Sequence, residues 1–168
     1  MAVYTKISSK DINIINSKFN VNEIKSFQGI KKGIENTNYL LKTKKEQFVL
    51  TIFEKRVSYK EIPFFMKLMD DLNLSKISCP KPLKDKNGNY LIKLKNKTAC
   101  VVTFLKGKDK QKLNINNCYQ VGKVISQIHS ITKKLNLSRK NSMGIKNLNP
   151  LLKSIKFKSK KNSNLEKF

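Results

Sequence analysis

The chain has 168 residues, with 36 Lys and Arg against 11 Asp and Glu, a formal net charge of +25 and 39% hydrophobic residues. That length sets a single domain as the default, with enough chain to bury one sizeable core, and no apolar run is long enough to cross a bilayer. Met1 to Lys10 lacks the basic-then-apolar pattern of a signal peptide, and Cys79, Cys100 and Cys118 are too few and too scattered for a disulfide framework or a zinc site, so a cytoplasmic protein with reduced thiols is expected.

Ser8 and Asp11 stand at capping-box spacing, which predicts a helix from Ser8 or Ser9 with Ile12, Ile15 and Phe19 on one face. Val21 to Ile30 reads as a strand ending at Gly29. Asn38 to Thr43 and Gln47 to Glu54 read as two strands joined by the polar turn Lys44-Lys45-Glu46. The second of these is apolar on both faces, which places it centrally in its sheet. A helix is predicted from close to Pro63, since proline is tolerated only in a first turn. Ser58 to Glu61 leads into it, and Phe65, Met66, Met69 and Leu72 form its stripe.

Cys79-Pro80-Lys81-Pro82 is an extended connector, because each proline pushes its predecessor out of helix. Asn87-Gly88 is a hairpin turn signal, and Tyr90 to Leu94 and Thr98 to Leu105 supply two more strands. From Asn116 to Leu135 the residues Val121, Val124, Ile125, Ile128 and Thr132 recur at helical spacing, which predicts one long amphipathic helix. Lys153 to Lys167 is rich in Lys, Ser and Asn and reads as a poorly ordered tail or an exposed connector. The fold class is therefore α+β: a helix-flanked antiparallel sheet, a junction near Phe104 to Lys108, then helix.

Several familiar sites are absent from the sequence. There is no G-x-x-x-x-G-K-[ST] loop, no G-x-G-x-x-G and no G-x-S-x-G elbow, and the single His129 sits on a predicted helix, where packing beside Ile125 and Val121 is the expected role. What remains is the polar tip between the first two strands, residues 29–39. Gly29 and Gly33 allow tight turns whose exposed N–H groups suit anionic oxygens. Lys31 and Lys32 add positive charge, and Asn36, Thr37 and Asn38 can either bond the local backbone or reach a ligand. Taken alone, such a tip is more plainly a turn than a binding loop.

The order of features changes the reading. A G-x-x-x-G-x-x-N-T-N-Y tip leads to the strand Phe48 to Glu54, a helix opening Pro63-Phe64-Phe65-Met66, the Cys79 to Pro82 connector, the run Val101 to Gly107, and a helix through Gly122 to His129. Across roughly residues 1 to 145 this resembles the homoserine kinases of the aminoglycoside-phosphotransferase-like superfamily. The resemblance implies a protein-kinase-like small lobe over residues 1–105, with a hinge, and over residues 106–168 the start of an incomplete helical large lobe. It implies that Gly29 to Asn38 cover the phosphates of ATP, that backbone groups of Thr103, Phe104 and Leu105 hold the adenine edge, and that Val49 and Leu50 help wall the base pocket, although core packing is the plainer reading for each of these two taken singly. Thr51 falls where protein kinases place a phosphate-binding Lys. Lys55, Lys31 or Lys32 can substitute for that Lys, with Glu61 as a candidate partner, although ordinary solvated charge is the plainer reading for Lys55 and Glu61.

The implied reaction moves the γ-phosphate of ATP to the side-chain hydroxyl of L-homoserine, a step in threonine biosynthesis. The H-G-D-x-x-x-x-N loop and the later aspartate that serve catalysis and Mg²⁺ in this superfamily do not occur here. No catalytic residue or metal ligand is therefore named, and the chain is expected to be an inactive fragment of a longer enzyme. The helix from Asn116 would then expose its apolar stripe. Within the superfamily, a choline, sugar or aminoglycoside acceptor is the alternative. From another class, the charge would suit a basic nucleic-acid-binding module. Against that, the lysines are spread along the whole chain, as an AT-rich coding sequence produces, and Phe27, Phe48, Phe53, Phe64 and Phe65 fall at core-like positions rather than as stacking platforms. No nucleic-acid or membrane partner is expected.

Overall fold

A computed structural model of the chain describes residues 3–54, 58–141 and 144–161, with side chains as far as residue 153. The first helix, α1 (Ser9–Lys18), begins where the capping-box spacing places it. The Asp11 carboxylate accepts from both the N–H and the hydroxyl of Ser8, at 2.7 and 2.8 Å. Ile12, Ile15 and Phe19 are buried together on one side, as the spacing predicted.

Five strands follow: β1 (Ser26–Gly29), β2 (Thr37–Lys42), β3 (Gln47–Ile52), β4 (Ile92–Leu94) and β5 (Lys97–Thr103). They form one antiparallel sheet in the order β1-β2-β3-β5-β4, so the doubly apolar strand is the central one. One face carries Leu41, Phe48, Leu50, Ile52, Ala99 and Val101 into a core shared with α1. On the other face α2 (Ile62–Leu74), with Pro63 in its first turn, seats Ile62 and Met66 against Phe53 and Cys100, with Val102 packed alongside. Burying these two apolar layers is the main favourable term in the fold.

Three local readings need correction. The first strand is shorter than Val21 to Ile30, because the Ile24 N–H bonds the Asn16 side chain on α1 at 3.1 Å instead of a ladder partner. Pairing starts only at Lys25, whose N–H reaches the Lys42 carbonyl at 2.8 Å. The Asn87-Gly88 turn exists, with Gly88 at φ 82°, but it closes a small loop on Asp85, whose N–H bonds the Asn89 carbonyl at 2.8 Å. The β4–β5 hairpin is instead turned by Lys95 and Asn96, at φ 51° and 58°, the two left-handed residues that a tight hairpin requires. Finally, the segment read as a tail from Lys153 is helical as far as Lys161, in α4 (Ile145–Lys161). There Ile145, Leu148, Leu151 and Leu152 recur at intervals of three and four, a spacing overlooked beneath the lysines.

The long helix α3 (Ile115–Thr132) starts at Asn114, whose side chain accepts from the Asn117 N–H at 2.9 Å. None of its residues is buried: Val121, Val124 and Ile125 are exposed, and so is His129, which was expected to pack. The described residues form two compact units, Met1–Leu137 and Ser138–Phe168. No described helix is long and apolar enough to cross a membrane.

Candidate functional site

Alternation along the strands splits the predicted site residues between two faces. Val49 and Thr51 point away from the α1 core, level with Leu40 and Asn38 of β2, through the pairs Leu40↔Val49 and Asn38↔Thr51. All four are half-buried. On the same face the next pairs, Val49↔Val102 and Thr51↔Cys100, lead to the part covered by α2. The result is an apolar strip with one polar end, where the Thr51 hydroxyl donates to Asn38 Oδ1 at 2.8 Å. Leu50, expected beside Val49 in the base pocket, is fully buried on the opposite face and belongs to the α1 core. Period-two alternation in the sequence was the signal that separates them.

The loop between β1 and β2 stands at the polar end of this strip. Lys31, Lys32, Gly33 and Ile34 are exposed, and Gly33 has φ 125°, a conformation open to glycine. Lys32 meets Asp109 at 3.0 Å, but both side chains are more than 80% exposed (88% and 86%), so the pair adds little. Gly29 has a different reason to be glycine: a Cβ there would come within 2.9 Å of Val3 Cγ2. The three polar residues after the loop are used inside the protein. Asn36 Oδ1 accepts from the Glu54 N–H at 3.3 Å, and Asn38 holds Thr51.

Thr37 is buried, and its hydroxyl accepts from the N–H groups of Tyr4 and Thr5, at 3.0 and 3.1 Å, while donating to Glu54 Oε1 at 2.7 Å. One donor and two acceptor sites are thereby filled, so this hydroxyl has no capacity left for a ligand. Sequence reasoning missed the group that Thr37 serves. Glu54 also accepts from the Thr5 hydroxyl at 2.7 Å and pairs with Lys97, which itself donates to Thr5 Oγ1 at 2.7 Å. Burial pushes the Glu54 carboxyl upward, but the hydrogen bonds from Lys97, Thr5 and Thr37 outweigh it and hold the group below the usual range. Lys55, the substitute phosphate ligand considered above, lies outside the described residues. Glu61 sits at the N-terminus of α2, as its cap residue.

At the far end of the strip, β5 runs into the predicted hinge. Thr103 is tied to the proline connector through two bonds to Lys81, each 2.9 Å, and its side chain is turned to that purpose. The Phe104 N–H donates to the Gln47 carbonyl at 3.1 Å. Among the described residues the N–H of Leu105, just past the end of β5, meets no partner.

Residues 26–153 match the sequence model described as the Phosphotransferase enzyme family. The chain belongs to that family. Among curated members of known sequence it is 37% identical over 145 residues to the homoserine kinase of Bartonella tribocorum, covering 86% of this chain and 46% of that protein. It is 34% identical over 156 residues to the homoserine kinase of Paramagnetospirillum magneticum, covering 93% and 48%. The chain thus spans about half the length of the curated relatives it matches. Solved structures of phosphotransferases share the fold. A spectinomycin phosphotransferase in complex with ADP and spectinomycin aligns with a TM-score of 0.61 at 18% identity, over 84% of this chain and 44% of that one. A microcompartment-associated aminopropanol kinase aligns at 0.62 and 12%, over 81% and 45%.

Proposed function

We propose that this chain supplies the nucleotide-binding half of an ATP-dependent homoserine kinase, a cytoplasmic enzyme that phosphorylates the side-chain hydroxyl of L-homoserine. The observation that carries the nucleotide reading is the half-buried strip of Leu40, Val49 and Val102, with a polar end at Asn38 and Thr51 and a backbone donor at Leu105. Such a surface suits a flat apolar base with a polar edge at one end and an anionic tail at the other. In this reading the base lies on Val49, the Leu105 N–H reads its edge while those of Thr103 and Phe104 stay bonded to Lys81 and Gln47, and the loop with Lys31, Lys32 and Gly33 covers the triphosphate. The N–H groups beside Gly33 and the two ammonium groups supply the positive field. Thr37 and Gly29 support the loop without touching the ligand, and Asn36 fastens its exit to Glu54.

The acceptor assignment rests on the homoserine kinase relatives, at 37% and 34% identity. Transfer of this kind relies on positioning and charge stabilisation, with Mg²⁺ bridging phosphate oxygens. The H-G-D-x-x-x-x-N loop and the later aspartate of the superfamily do not occur in this sequence, and in this reading residues outside this chain hold Mg²⁺ and supply the catalytic base.

The test is a coupled assay with ATP, Mg²⁺ and L-homoserine, run on this chain and on the product of the whole reading frame that contains it. The whole product should turn over, with homoserine preferred to choline, sugars and aminoglycosides, and the chain alone should bind ATP without turnover. Absence of turnover by the whole product with any of these acceptors would overturn the reading.

A further inference from the structure

Residues 3–5 do not belong to any helix or strand, yet they reach the loop between β1 and β2 at three separate points. Val3 packs over Gly29, where even a methyl group on the glycine would approach Val3 Cγ2 to 2.9 Å. The Tyr4 hydroxyl donates to the Ile34 carbonyl near the loop tip at 2.8 Å. At the loop exit, the Tyr4 and Thr5 N–H groups donate to Thr37, and the Tyr39 hydroxyl donates to the Thr5 carbonyl at 3.0 Å. Entry, tip and exit of the loop are each held by one short piece of chain.

We propose that residues 3–5 form a strap that positions the loop over the nucleotide phosphates, with Tyr4, Thr37 and Glu54 as positioning residues. The inference rests on the nucleotide reading given above. Thr37, Glu54 and Lys97 lie on the α1 face, as their alternation with Asn38, Thr51 and Val49 requires. The strap therefore holds the loop from behind and leaves the open strip clear. The Glu54 carboxylate is the hub: it gathers the hydroxyls of Thr5 and Thr37 and the Lys97 ammonium, so three segments distant in sequence meet on one group. A loop with exposed glycine and lysine residues has many conformations, and each one excluded before binding lowers the entropic cost of ordering it around a triphosphate.

The experiment compares ATP with adenosine as ligands of the whole reading-frame product, together with hydrogen exchange at the amides of residues 30–36. Tyr4→Phe removes one exposed bond and leaves the fold intact. It should weaken ATP binding by about threefold to tenfold, the scale of one hydrogen bond, leave adenosine unchanged and speed exchange in the loop. Thr37→Val should act in the same sense and more strongly, and Thr37→Ser should restore the wild-type values. If ATP and adenosine weaken together, or loop exchange is unchanged in Tyr4→Phe, the strap is overturned while the nucleotide reading stands. If the wild type binds no ATP, the nucleotide reading falls and takes the strap's proposed role with it.

Discussion

The two loop glycines, which the sequence assigns the same task, are set apart by replacing each with alanine. At Gly29 the backbone is ordinary strand, so Ala brings no strain of its own. Its Cβ meets Val3 Cγ2 at 2.9 Å and Tyr39 Cε1 at 3.6 Å, and only the first is too close. Val3 is partly buried, and displacing it gives up roughly 1 kcal/mol, a fraction of full burial of a valine. Against this, Ala restricts the unfolded chain and returns about 0.4–1 kcal/mol. Gly29→Ala should therefore lie within about 1 kcal/mol of the wild type. At Gly33, φ is 125°, where a side chain clashes with its own backbone. A substitution there costs on the order of 1–3 kcal/mol in native strain, which the same unfolded-chain effect of about 0.4–1 kcal/mol offsets only in part. Equilibrium urea denaturation measures both. Gly29→Ala losing more than Gly33→Ala would refute the assignment of one glycine to packing and the other to backbone conformation.

Two further outcomes are expected. Leu50→Ala empties a fully buried position in the α1 core and should cost about 3 kcal/mol, whereas Val49→Ala, one residue away on the open strip, should cost about 1 kcal/mol or less and weaken ATP binding about fivefold; equal stability losses from the two would contradict the face assignment. Because the Glu54 carboxyl is held below its ordinary value of 4.5, its contribution to stability is present above pH 4.5 and is lost as the pH falls through its lowered value. Thermal melts of Glu54→Gln should thus show a weaker decline than the wild type on acidification below pH 4.5, and identical declines would count against the ionised hub.

What the sequence reveals of this fold is mostly local. The cap at Ser8 and Asp11, the proline that starts α2 and the doubly apolar β3 each announce themselves within a few residues, because each rests on backbone geometry or on burial from both sides. The turn at Lys95-Asn96 does not, since neither residue is glycine and both adopt left-handed conformations under the pull of the flanking strands. Thr37 is a harder case. Within Asn36-Thr37-Asn38 it looks like a ligand group, and its partners Tyr4, Thr5 and Glu54 stand 17 to 33 residues away. No pattern in one sequence joins those positions. The Leu50 assignment was recoverable, because strand alternation alone places it opposite Val49. The α4 helix was hidden by composition: abundant lysine suggested a solvated tail, while the apolar intervals beneath it were helical.

The strap also has a schedule. Residues 3–5 leave the ribosome before all of their partners, and the last of these, Lys97, follows Thr5 by 92 positions. At a synthesis rate of about 5–20 residues per second, that interval is about 5–18 s. The sheet assembles from neighbours in the meantime, β1 on β2 and β2 on β3, with β5 completing the centre once α2 and β4 have been made. Residues 3–5 are thus among the last to settle, although they are made before all their partners, and the loop they hold takes its final shape only when the whole sheet stands behind it.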